Sequence, residues 1–200
     1  EAASWDENPA RVKLAQNVAD AISKQVKLTH EMDVMDFGCG TGLLTLNIQP
    51  FVHSVTGIDN SHGMLDILSS KINKLKLNNA GSLLVDLDRG DILTGHYDLV
   101  ISNMTLHHIK DIDNLLNQFH NILKSGGYLC LSDLDLDDGK FHNDNTGVFH
   151  NGFSRRKLQN SFTNAGFVNI KETTAAEITK PTTDGEMKTF SIFLMTGRKK

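Results

Sequence analysis

The chain has 200 residues, 39% of them hydrophobic and 22% charged, with only 3 prolines. That suits one folded domain burying about 70% of its unfolded surface, and excludes a fibre, a disordered tail or a multidomain machine. Twenty Lys and Arg against 24 Asp and Glu leave a net charge of -4, so there is no global electrostatic footprint for nucleic acid or an anionic membrane.

No stretch approaches the ~20 consecutive apolar residues of a membrane span. The start, EAASWDENPA, lacks the basic and apolar runs of a signal peptide. A soluble, cytoplasmic protein without a membrane partner is expected, as a monomer or homodimer. The short basic runs Arg155-Arg156-Lys157 and Arg198-Lys199-Lys200 read as solvated surface, and no nucleic-acid partner is expected. Cys39 and Cys130 fit no C-x-x-C or zinc spacing and read as buried, reduced thiols.

In chain order, Asn8-Pro9 offers a helix cap and first position, and Ala15, Val18, Ala19, Ile22 and Val26 follow at helical spacing. Asp33 to Phe37 is a strand that ends in Gly38-Cys39-Gly40-Thr41-Gly42, and Leu43, Leu44, Leu46 and Ile48 suit a buried helix. The alternation repeats as a strand at 54–58, a helix at 64–77, and strands at 82–87 and 97–102. A helix carrying Ile112, Leu115, Leu116, Phe119, Ile122 and Leu123 is stopped by Gly126-Gly127, and a strand follows at 128–134. Residues 135–153 form a long polar loop, far beyond the usual ~4–6 residue connection and so a candidate functional segment. Ser154 caps a helix with Leu158, Phe162 and Ala165, which Gly166 ends; strands are expected at 167–173 and 190–196, with a loop at 174–188 between them. This rhythm predicts an α/β protein with a doubly wound, mostly parallel sheet covered by helices on both faces.

Three glycines where a strand turns into a helix let the backbone approach a polar ligand closely. The dinucleotide fingerprint needs Gly at 43, where Leu43 stands, and the phosphate loop needs a Lys after its glycine. Both nucleotide-phosphate readings are therefore weakened. Asp59, at the end of the second strand, can accept hydrogen bonds from both hydroxyls of a ribose.

The segments Val34-Met35-Asp36-Phe37-Gly38-Cys39-Gly40-Thr41-Gly42 and Gly57-Ile58-Asp59 together resemble the class I S-adenosylmethionine-dependent methyltransferases, particularly their small bacterial-type members. Tyr97-Asp98-Leu99-Val100 and Leu123-Lys124-Ser125-Gly126-Gly127 are similar to that family's fourth and fifth strand motifs. The resemblance implies a seven-stranded Rossmann-like sheet and methyl transfer by in-line displacement from S-adenosyl-L-methionine. Asp36 and the turn of Gly38, Cys39, Gly40 and Gly42 would lie against the methionine end, with Asp59 on the ribose. It further implies Asn60 and Met64 over the adenine, Asp86 and Leu87 near the adenine amino group, and Ser102 and Asn103 flanking the sulfonium. For Asp36 and Asp86 the alternative is capping of local backbone.

A sulfonium leaving group needs no protonation, so alignment can supply much of the rate, and a base is useful only when the acceptor loses a proton. Candidates are His107 or His108, of which at most one should face the pocket, Asp133 at a strand end, and His150 in the long loop. The triplets Phe141-His142-Asn143 and Phe149-His150-Asn151 repeat within that loop; Phe141 and Phe149 read as anchors to the core. Trp5 would help close the pocket or staple the first helix. No metal is expected, because the carboxylates and histidines show no defined ligand spacing. The absence of a Pro-Pro-aromatic motif after the fourth strand disfavours DNA amine methylation, so a small-molecule acceptor is expected. Asp133, Asp135, Asp137 and Asp138 beside the pocket would favour a neutral or cationic one. The rival functions are a non-catalytic cofactor-binding regulator or partner protein and, with Leu43 against it, a nicotinamide-dependent oxidoreductase.

Overall fold

A computed structural model describes residues 2–142 and 144–200. The Asn8 side chain accepts the Ala10 N–H at 2.9 Å, and α1 runs over Pro9–Gln25 with Leu14, Val18 and Ile22 buried. There follow β1 (Asp33–Phe37), α2 (Leu43–Ile48), β2 (Ser54–Asp59), α3 (His62–Leu75), β3 (Ala80–Leu84) and β4 (Tyr97–Asn103). The second half holds α4 (Ile112–Ile122), β5 (Leu123–Leu134), α5 (Arg155–Asn164), β6 (Phe167–Pro181) and β7 (Met187–Lys199).

The strands form one sheet in the order β3-β2-β1-β4-β5-β7-β6. β1 to β5 pair in parallel, and β7 runs antiparallel between β5 and β6. Period-two alternation splits the core into two layers. Val34, Leu99 and Cys130 pack with α1 and α2, whereas Met35, Val100 and Leu129 pack with α4 and α5. Leu65, Leu68 and Ile72 of α3 close over Cys39. Both cysteines are buried and free, and burial pushes the Cys130 thiol up to about 12. No helix among the described residues is long and apolar enough to cross a membrane.

Three boundaries differ from the sequence reading. Lys76 turns left-handed at φ 54 and ends α3 before Leu77. Pairing to β2 then begins at Ala80 and finishes at Leu84, so Asp86 and Leu87 lie past the strand instead of within it. Gly126-Gly127 does not stop a helix: α4 already ends at Ile122, and Leu123 pairs with Tyr97 inside the sheet. A Cβ at Gly127 would stand 2.9 Å from the Lys124 carbonyl oxygen and 3.0 Å from that of Asp98, so the pair serves an irregular stretch of β5.

The largest correction concerns 174–188, expected as a loop. Most of it is strand: β6 and β7 pair continuously from Phe167↔Lys199 to Pro181↔Met187, through two register shifts. Thr and Ala hid the alternation of a solvated edge strand, in which β-branched residues suit the pleat and Pro is tolerated at the end.

Candidate functional site

The strand order reverses between β1 and β4, which opens a crevice at the carboxyl ends of the parallel strands. The glycine turn forms its floor. Gly38, Gly40 and Gly42 all have positive φ. An added Cβ would lie 2.2 Å from Thr105 at Gly38 and 2.3 Å from Leu68 at Gly42, but would meet nothing within 4 Å at Gly40. Two glycines are thus needed for packing, while the third leaves room above the turn. The Asp59 carboxylate braces this turn, accepting the Gly40 N–H at 2.9 Å and the Ser61 N–H at 2.9 Å.

Asp36, buried at the end of β1, accepts the Thr45 hydroxyl at 2.6 Å. Burial pushes its carboxyl up to about 7. The folded protein therefore binds a proton here that the unfolded chain releases near the ordinary Asp value, and stability falls as pH rises from about 4 to about 7. The cost above that window is about 4 kcal/mol at ~1.4 kcal/mol per pKa unit. Asp36→Asn should gain stability relative to the unsubstituted protein between pH 4 and pH 8 in urea titrations. Parallel pH profiles for the two proteins would refute this.

A cavity of about 550 Å³ rises from the turn. Asp36, Gly38, Cys39 and Gly40 line its floor, and Asn103, Met104, His107 and His108 come from the segment after β4. Trp5 and Arg11 come from the N-terminal segment and α1, Phe141 and His142 from the long loop, and Ile178 and Lys180 from β6. Arg11 stacks 3.6 Å over the Trp5 ring. Asp6 ties this cover to the glycine turn by accepting the Thr41 hydroxyl at 2.6 Å and pairing with Lys71.

The 135–153 loop is pinned at several points. His107 offers its carbonyl to the Phe149 N–H at 2.8 Å, and His108 Nδ1 bonds the Gly147 carbonyl at 2.8 Å. Lys140 pairs with Asp184, Lys188 pairs with Asp138, and Lys180 donates to the Phe141 carbonyl, so the β6–β7 hairpin holds the loop over the crevice. Phe141 packs edge-on to Phe190 at 5.1 Å and anchors the loop. Phe149 does not: it is 47% exposed and its ring lies beside Lys110. Asn143 of the repeated triplet lies outside the described residues.

His107 and Asp133 form a buried pair. Asp133, at the end of β5, meets His107 Nδ1 at 2.8 and 3.0 Å and accepts the backbone N–H of His107 at 3.2 Å and of Leu134 at 2.7 Å. With the carboxylate as acceptor, Nδ1 carries the proton and Nε2 is the nitrogen left for exchange. The His107 ring lies 4.2 Å from that of His108 and 4.7 Å from that of His142. His142 is pushed down to about 4, first by burial and then by its neighbours His107, His108 and Lys180.

Other expected residues do not line the cavity. His150 bonds the Ile109 carbonyl through Nε2 at 2.8 Å and leans on Phe153, so it fastens the loop instead of facing an acceptor. Asp86 caps local backbone, accepting the Asp88 N–H at 3.1 Å, because β3 ends before it; Leu87 packs partly against the core. The Ser102 hydroxyl is spent on the Phe37 carbonyl at 2.8 Å. Asn60 is exposed and Met64 half-buried at the start of α3. Asp133 does not line the cavity and touches His107, which does. The sequence reading gave no role to Arg11 or Lys180, and nothing local marks Lys180 as a lining residue. Among the described residues, no group of three or more His, Cys, Asp and Glu is arranged to hold a metal ion.

A family model described as a methyltransferase domain matches residues 10–172. A protein of Schizosaccharomyces pombe named as an uncharacterized methyltransferase is 32% identical over 155 residues, covering 70% of this chain and 55% of its own. A malonyl-[acyl-carrier protein] O-methyltransferase of Acetivibrio thermocellus is 32% identical over 123 residues, covering 60% of this chain and 41% of its own. The chain thus spans about half the length of these curated relatives. Among solved structures, the YcgJ protein of Bacillus subtilis superposes with a TM-score of 0.75 at 16% identity, covering 92% of this chain and 98% of that one; at that identity the likeness shows the fold.

Proposed function

Because the chain belongs to the methyltransferase-domain family, we propose that it is an S-adenosylmethionine-dependent enzyme transferring a methyl group to a small-molecule acceptor. The observation that carries this reading is the cavity above the glycine turn, whose floor and cover bring the Asp36 carboxyl and the Arg11 guanidinium to one space. Those groups suit the ammonium and carboxylate of a methionyl group. The open space over Gly40 is room that a side chain would take from such a ligand.

In this reading Asp36, Gly38, Cys39, Gly40 and Gly42 hold the methionyl end, and Arg11 meets its carboxylate. Asp59 keeps acceptor capacity for the ribose hydroxyls beyond its two backbone bonds. Asn60 and Met64 border the adenine, and Asn103 borders the sulfonium. When bound, the cofactor supplies an electrophilic methyl group on sulfur, open to in-line displacement. His107 takes the proton that a hydroxyl or amine acceptor loses, and Asp133 fixes its tautomer. The loop and Trp5 keep water from the reacting atoms.

Calorimetric titration tests the reading. S-adenosylmethionine and S-adenosylhomocysteine are expected to bind and NAD to give no heat of binding. Binding of NAD without either sulfur nucleotide would overturn the proposal in favour of an oxidoreductase.

A further inference from the structure

We propose that Lys180, His108 and His142 form an anion-recognition subsite in the cavity, so that the methyl acceptor is a small molecule bearing a carboxylate or a phosphate. The inference rests on the methyltransferase reading and names its substrate class.

Each of the three groups has unspent capacity toward the cavity. Lys180 is half-buried and makes no ion pair among the described residues. Its ammonium donates to the Phe141 carbonyl and lies 4.3 Å from the centre of the Phe141 ring. Burial pulls it below the ordinary lysine range, a cost that a bound anion would offset. His108 has Nδ1 committed to the Gly147 carbonyl, which leaves Nε2. His142 Nε2 is buried without a hydrogen-bond partner among the described residues, and a buried polar nitrogen left unpaired is a cost that a ligand oxygen removes.

Three of the four carboxylates that the sequence set beside the pocket are spent on partners. Asp133 is spent on His107 and two backbone N–H groups. Asp135 is clamped by Arg155 through two bonds of 2.7 and 2.5 Å, and Asp138 pairs with Lys188 at 2.5 Å. Asp137 is the exception: it acts on Lys180 through its charge without an ion pair, one of its oxygens accepts the Gly139 and Lys140 N–H groups, and the other is buried without a partner among the described residues. None of the four lines the cavity, whose lining carboxylate is Asp36 on the glycine-turn side. An acidic acceptor therefore fits where Asp133, Asp135, Asp137 and Asp138 in the sequence pointed to a neutral or cationic one.

The test uses the full chain saturated with S-adenosylhomocysteine, saturation being established by calorimetry for each variant. Malonate and inorganic phosphate are titrated in while the imidazole NMR signals of His108 and His142 are followed, with chloride at matched ionic strength as control. Saturable shifts are expected with at least one anion. Lys180→Gln, which keeps a donor for the Phe141 carbonyl, should weaken that binding by about tenfold or more, the loss of a charge-assisted hydrogen bond. Lys180→Arg should keep it within about threefold, by retaining the charge. A response to malonate alone assigns a carboxylate acceptor, and to phosphate alone a phosphorylated one. No response beyond chloride, or equal binding by Lys180→Gln, overturns the subsite while leaving the cofactor reading intact. Failure of S-adenosylhomocysteine to bind overturns both.

Discussion

Asp133→Ala should destabilise the protein by about 3–5 kcal/mol, the range for removing one partner of a buried charged pair. Asp133 is fully buried at the end of β5, and its carboxylate satisfies the His107 ring and the backbone N–H groups of His107 and Leu134. Alanine strands all three donors in a buried site, and each unsatisfied buried group costs about 1–3 kcal/mol. Urea denaturation measures the loss; a change under about 1 kcal/mol would show that the pair holds nothing together. His107→Gln separates fold from chemistry. It should leave S-adenosylhomocysteine affinity unchanged and lower turnover by about a hundredfold on an acceptor that loses a proton.

Asp59→Ala should weaken S-adenosylhomocysteine binding by about 2–4 kcal/mol, roughly 30-fold to 1,000-fold. Two losses combine. The carboxylate that would meet the ribose disappears, and the Gly40 and Ser61 N–H groups lose the acceptor that shapes the glycine turn. The ligand-free protein should lose less, because Asp59 is half-buried and water can reach the freed amides. A dissociation constant within about threefold of the original would remove Asp59 from the binding site.

The elements read most directly were those fixed by neighbours in sequence. Asn8-Pro9 capped α1 as its spacing predicted, because a cap and an i, i+3, i+4 stripe act within a few residues. The same holds for β1 and the glycine turn, where a run of apolar residues meets three left-handed glycines. The setting of Asp86 was less legible, for a different reason. Its strand ended at Leu84, a boundary set by where pairing to β2 begins and not by the residues of β3.

The acceptor side was scarcely legible. Lys180 reaches the cavity only because β6 continues past Thr173 in register with β7, and that register depends on residues far along the chain. His150 and His142 sit in matching triplets, yet the fold turns one onto the Ile109 carbonyl and leaves the other with a bare nitrogen beside His107. No local pattern distinguishes them.

By itself, then, the sequence determined the alternating α/β architecture, the position of the glycine turn and the acid at the end of β2. Short-range hydrogen bonding, glycine's left-handed freedom and side-chain periodicity fix those within a few residues. The tertiary structure decided which charged groups around the cavity are paired. Net charge adds every carboxylate equally, whereas folding pairs Asp133, Asp135 and Asp138 with partners distant in sequence and leaves Lys180 without one among the described residues. An electrostatic field inside a cavity follows from which charges remain unpaired there, and only the folded chain sets those pairings.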